Sequence, residues 1–174
     1  MKTLIKKIIF FLIPIIIYCI AEVTLIKNIT TRPWEALSYL EKPNKYYGSF
    51  YQDINYEVNS VGDLAHHTNY EIIRLEKWIT DSHGFRNNKS LKSPDIVIIG
   101  DSFIVGSGLN QNDILSNVIM TSTQNKLTVY NMAPSSMEAL SYFIKNKIIN
   151  KPKLIIYSNV ERNDIPLLND SLQI

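Results

Sequence analysis

The chain of 174 residues has a single cysteine, Cys19, so no disulfide can form within it and its folded part rests on an ordinary apolar core. It has no marked excess of either charge. Eighteen Lys and Arg face sixteen Asp and Glu, a formal balance of +2, and the lysines are scattered. That excludes a nucleic-acid footprint, which needs basic residues clustered on one face. There is no internal repeat and no low-complexity segment. Only three histidines occur, His66, His67 and His83, and no set of Cys, Asp or Glu is spaced around the adjacent pair as metal ligands would be. A solvated loop is the reading for His66-His67. The length fits one domain.

Long uncharged apolar runs are also scarce. "MKTLIKKIIFFLIPIIIYCIAEVTLI" carries Lys2, Lys6 and Lys7 at its start and Glu22 near its end, so its strictly uncharged part is 8–21. A spanning helix wants ~20 such residues, a length reached here only by counting the flanks and letting the lysines snorkel. Nearly every side of the segment is apolar, which argues against an ordinary core helix. "IYCIAE" matches the small-x-small pattern of a cleavage site poorly. Residues 1–27 are therefore expected to be an uncleaved signal anchor rather than a cleaved signal. The lysines would stay in the cytoplasm, and everything after Lys27 would lie on the extracytoplasmic side of the inner membrane.

Residues 28–80 show no long periodicity and are read as an irregular lead-in that packs on the domain behind it. "RPWEALSYLE" suits a short helix with Pro33 in its first turn. "DINYEV" alternates as an edge strand does. Tyr70 to Thr80 fits a strand or a short helix, and Trp34 and Trp78 read as packing anchors. From Asp95 the pattern sharpens. "DIVIIG" is a short continuous apolar run, as in a strand buried on both faces of a parallel sheet. "NDILSNVIMTS" predicts a helix capped by Asn112, with Ile114, Leu115, Val118 and Ile119 inward. "KLTVYNMA" is a second strand. "SSMEALSYFIKNKIIN" is a second helix, with Ser135 and Glu138 as a capping box, Leu140, Phe143, Ile144 and Ile148 as its stripe, and Pro152 beyond it as a stop. "KLIIYSNV" is a third strand. Strand, helix, strand, helix, strand with short joins predicts an α/β unit with a parallel sheet.

Ligands of such sheets bind beyond the carboxyl ends of the strands. Three polar clusters fall there: Gly100-Asp101-Ser102, the turn from Asn131 to Ser136, and Glu161 to Asp164. A serine on a sharp strand-to-helix turn projects its hydroxyl outward while its own N–H can face a developing oxyanion. Asp101 reads as a turn former whose carboxylate bonds nearby N–H groups. For Arg86 and Arg162 the default is an ion pair, with an anionic substrate as the alternative.

In "IVIIGDSFIVGSG", "VYNMAPSS" and "NVERNDI" the chain resembles the SGNH (GDSL-type) hydrolases, over roughly Thr80 to Pro166. "TDSHGFRNN" is similar to the lead-in found in many membrane-anchored or secreted members. The resemblance implies a flavodoxin-like SGNH fold for 81–174, incomplete at about three core strands. It implies Ser102 as nucleophile, the N–H of Ser136 as an oxyanion donor, and the Asn163 amide as another. Ser136 stands where the family has glycine, as does Glu161. The implied activity is hydrolysis or transfer of an acyl ester, with an O-acyl ester of envelope carbohydrate as substrate and with no metal or organic cofactor.

A serine needs a base. The family takes it from an Asp-x-x-His block near the C-terminus, and here no such block follows Asp164. Three readings stand. The chain is the front half of a longer fold. Alternatively, Asp81 and His83 act as relocated orienter and base, an arrangement with precedent among alginate-acetyltransferase-like relatives; a surface histidine in the turn before Gly84 is the plainer account. Or the domain is catalytically inactive and serves as a binding or assembly component.

Overall fold

In the computed structural model, residues 2–26, 32–61 and 72–158 are described. The chain divides into two units, 1–31 and 32–174.

The first unit is helix α1, Lys2–Ile26. Its described side chains at 10–21 are all exposed. Among the described residues no helix is long and apolar enough to cross a membrane. The helix expected over 1–27 is present.

The second unit is mixed α/β. Its centre is a three-stranded sheet of β3 (Ile96–Ile99), β4 (Val129–Asn131) and β5 (Leu154–Tyr157), all parallel, in the order β4-β3-β5. Strand β3 is central and buried along its whole length, as its unbroken apolar run requires. Its side chains alternate between two layers. Ile96 and Ile98, with Val129, meet Ile119, Met120 and Leu127 around helix α4 (Leu115–Ser122). Val97 and Ile99, with Tyr130 and Met132, meet Leu140 and Phe143 of helix α5 (Met137–Lys145), along with Phe85 and Ile149. Burying one such Phe or Leu contributes about 1.5–3 kcal/mol.

The lead-in is more regular than its sequence suggests. After a single-turn helix α2 (Pro33–Ala36), strands β1 (Asn55–Ser60) and β2 (Arg74–Ile79) pair antiparallel, from Asn55 opposite Ile79 to Ser60 opposite Arg74. "DINYEV" is thus a strand, and of the two options for Tyr70 to Thr80 the strand is found. Leu37, Phe50 and Trp78 pack with Val105 and Ala133, so the lead-in shares a core with the turns that follow β3 and β4.

Two helix details differ from expectation. Half of the expected stripe of α4 faces inward. Ile114 is buried and Ile119 packs on the core, but Leu115 and Val118 are exposed, and Ser116 and Asn117 are buried instead. The Asn117 amide donates to the carbonyl of Gln111, the first residue of a one-turn 3-10 helix, Gln111–Asp113, capped by Asn110; Asn112 lies within that turn, and the N-cap of α4 is Ile114, which makes no side-chain cap bond. That bond satisfies the buried amide. In α5 the capping box does not form. Ser136 is the N-cap and makes no side-chain cap bond, while Glu138 accepts from Tyr46 Oη at 3.2 Å. The helix ends at Lys145, well before Pro152, where Lys147 turns to a positive φ.

At the amino ends of the strands one carboxylate ties all three together. Asp95 Oδ1 lies 2.7 Å from Lys153 Nζ, and Oδ2 accepts from the Thr128 N–H and hydroxyl at 2.9 and 2.8 Å. Lys153 and those donors hold the Asp95 carboxyl well below the usual carboxylate range. A carboxyl depressed in the folded state stabilises above its unfolded pKa of about 3.9 and loses that contribution as pH falls below it. Wild type and Asp95→Asn, compared by urea unfolding at pH 7, 5 and 3, should therefore differ most at pH 7 and 5. The gap should close toward pH 3.

Candidate active site

Strand β3 runs out at Ile99 and the chain turns at once into helix α3, Ser102–Val105. Gly100 makes the turn possible. A Cβ there would stand 2.4 Å from Ile104 Cγ1 and 3.2 Å from Ser158 Cβ. Asp101 is the N-cap, its Oδ1 accepting from the Phe103 N–H at 2.9 Å, as expected of a turn former. Ser102 is thereby the first helical residue, half-buried at the carboxyl end of the central strand. Among the described residues neither its hydroxyl nor its N–H has a hydrogen-bond partner. Phe103 beside it is exposed.

The turn after β4 lies against this one. Ser135 N–H donates to the Gly100 carbonyl at 3.3 Å. The buried Asn131 amide donates to the Ile104 carbonyl at 3.1 Å and accepts from the Ala133 N–H at 2.9 Å. The Ser136 N–H, like that of Ser102, has no acceptor among the described residues. Asn163, and with it Glu161, Arg162, Asp164 and the pair His66-His67, lies outside the described residues. The described ones hold no group of three or more His, Cys, Asp or Glu that could bind a metal ion.

Asp81 and His83 sit on the loop before β3. Asp81 is buried, and its carboxylate accepts from the N–H groups of His83 and Phe85 at 2.9 and 3.1 Å and from the Asn87 amide at 3.0 Å. It is committed to the backbone of its own loop and to Asn87, not to the imidazole. The ring of His83 lies between Tyr47 and Phe143, with centroids 5.3 and 5.2 Å away. Its Nδ1 is 3.4 Å from Ser90 Oγ and 3.5 Å from the Tyr130 hydroxyl. Burial, followed by the charge of Asp81, raises the Tyr130 pKa well above its usual value. No hydrogen bond joins His83 to Ser102 among the described residues.

Sequence reasoning missed the residues that hold the serine turn in place. Asn87 pairs with the backbone of Asn131 in both directions, accepting from its N–H and donating to its carbonyl, each at 2.9 Å. Among the described residues Arg86 makes no hydrogen bond to a carboxylate, so the expected ion pair is not found. The residue is fully buried, and its guanidinium donates to Gln111 Oε1 and to the carbonyls of Lys77, Val105, Gly106 and Leu109, at 2.7–3.3 Å. Its plane covers the Trp78 ring at 3.8 Å. Gly106 takes the left-handed conformation that ends α3, and a side chain there would strike Ile114. Burial lowers the Arg86 pKa to about 9, with Glu76 acting in the opposite sense, so it stays charged at neutral pH. A buried arginine needs acceptors for every N–H. The signal was the clustering of Asp81, Gly84, Arg86 and Asn87 in one tight loop, but which carbonyls they meet depends on the fold.

Compared with family models, with characterised proteins and with solved structures, the chain matches none.

Arg86→Met would leave these five acceptors without their donor. At roughly 1 kcal/mol or more for each unpaired buried group, the loss is on the order of 3–5 kcal/mol. Chemical denaturation should show it, and Arg86→Lys should recover only part.

Proposed function

We propose that the chain is an SGNH-type serine ester hydrolase or O-acyltransferase, with an acyl ester of envelope carbohydrate as substrate. The observation that carries this reading is Ser102: it opens the helix after the central parallel strand, and its hydroxyl and N–H are both uncommitted among the described residues. The Ser102 oxygen attacks the acyl carbonyl and forms the acyl-enzyme, and its proton passes to a base on the way to the departing alcohol. Water or an acceptor hydroxyl then takes the acyl group. The N–H groups of Ser102 and Ser136, together with the Asn163 amide, hold the oxyanion. The order β4-β3-β5 supports the placement, because flavodoxin-like sheets bind ligands where the chain turns to opposite sides of the first strand. Helix α1 holds the domain at the inner membrane on its extracytoplasmic side. Its exposed apolar side chains support that attachment.

A second reading, an inactive SGNH-like domain that binds or assembles with a partner, draws on the other half of the site. The carboxylate of Asp81 is committed to backbone and Asn87, and the described contacts of His83 are with Ser90, Tyr130, Tyr47 and Phe143.

Intact-mass labelling of the full chain with a fluorophosphonate separates the two. The enzyme reading expects one adduct, lost in Ser102→Ala, with hydrolysis of an activated ester falling on the order of 10⁴-fold. If His83 is the base, His83→Ala also loses the adduct. An adduct unaffected by His83→Ala places the base elsewhere. A folded protein that takes no label is the inactive domain.

A further inference from the structure

Beside the Ser136 turn lies a cavity of about 260 Å³, with Lys42, Lys45 and Tyr47 of the lead-in on one side and Ser135, Ser136 and Glu138 on the other. Its charges do not balance. Lys45 Nζ lies 3.8 Å from Glu138 Oε1 and 4.5 Å above the Tyr46 ring, and these two neighbours, Tyr46 foremost, raise its pKa. Lys42 has no carboxylate partner among the described residues; its ammonium reaches only the Tyr47 carbonyl, at 3.5 Å. Partial desolvation lowers its pKa. The lining thus carries two ammonium groups against one carboxylate, which only Lys45 meets. The hydroxyls opposite are also underused: Ser135 Oγ makes one long bond, 3.5 Å to the Ser136 carbonyl, and Ser136 Oγ makes none among the described residues.

This chemistry selects its ligand. A cation would meet a net positive wall. An apolar group would strip water from Lys42 and give nothing back. An oxyanion would pair with Lys42, draw Lys45 from Glu138, and accept from both hydroxyls. We propose that this cavity is a binding subsite for a small oxyanion, a carboxylate or a phosphate, held by Lys42, Lys45, Ser135 and Ser136. Because Ser136 also belongs to the proposed oxyanion hole, the anion is a substituent of the substrate, and that last assignment rests on the serine chemistry proposed above.

Lysine footprinting of the full chain tests the subsite directly. The protein is treated with an amine-selective acetylating reagent at constant ionic strength, with inorganic phosphate, with acetate, or with neutral glycerol, and each lysine is followed by peptide mass spectrometry. Phosphate or acetate should slow modification of Lys42 and Lys45 several-fold while leaving Lys126 unchanged, and glycerol should protect neither. The anion that protects at the lower concentration identifies the group. Glu138→Gln should strengthen protection by removing the competing carboxylate, and Ser136→Ala should weaken it. Equal protection of Lys126, or none at Lys42, overturns the subsite. Ser102→Ala should protect as wild type does, so a failed fluorophosphonate reaction leaves this result standing. Labelling at Ser102 without lysine protection removes the subsite alone.

Discussion

The buried guanidinium of Arg86 is the contact on which the candidate site depends. It gathers carbonyls from β2, from the end of α3 and from the loop after it, and adds the side chain of Gln111. Those segments are separate in sequence and have no mutual ladder of backbone bonds. A lysine could not serve them all, because its three donors radiate from one point, whereas the planar fork reaches several directions at once. Trp78 closes one face of the guanidinium. The charge remains buried because its donors are satisfied, with the buried Glu76 carboxylate adding electrostatic support without a direct hydrogen bond to it among the described residues.

From that centre the lead-in takes on a structural role. Hairpin β1–β2 and the loop from Asp81 to Asn87 brace the carboxyl ends of β3 and β4. Asn87 extends the edge of β4 as a strand would, and Asp81 collects the N–H groups of its own loop. The opposite end of the sheet is held by Asp95, which reaches β4 and β5 through Thr128 and Lys153. Polar clamps at both ends frame an apolar middle. The end braced through Arg86 and Asn87 is the one that carries Ser102.

Much of the α/β pattern was legible because the relevant forces are local. Four consecutive apolar residues, Ile96 to Ile99, can be buried on both faces only within a covered sheet. Asp101 beside Gly100 is turn chemistry. Only half of the inward face of α4 was legible: Ile114 and Ile119 turn inward as apolar residues, but Ser116 and Asn117 are buried in place of Leu115 and Val118, the Asn117 amide satisfied by the Gln111 carbonyl. The capping box of α5 failed for a related reason: Glu138 found Tyr46, 92 residues away in sequence. Arg86 read as one half of an ion pair, since nothing in its neighbours along the chain announces carbonyls supplied by β2 and by the loop after α3.

The sequence by itself determined the strands and helices of the parallel unit and the turn that carries Ser102 at the end of the central strand. Each follows from residue patterns within a few positions of one another. Only the tertiary structure decided that Ser116 and Asn117 of α4 turn inward, that the carboxylate of Asp81 serves its loop and not the imidazole of His83, and that Arg86 is an interior brace. Those outcomes depend on acceptors and donors brought from distant parts of the chain, and a buried polar group takes whichever partner the fold places within reach.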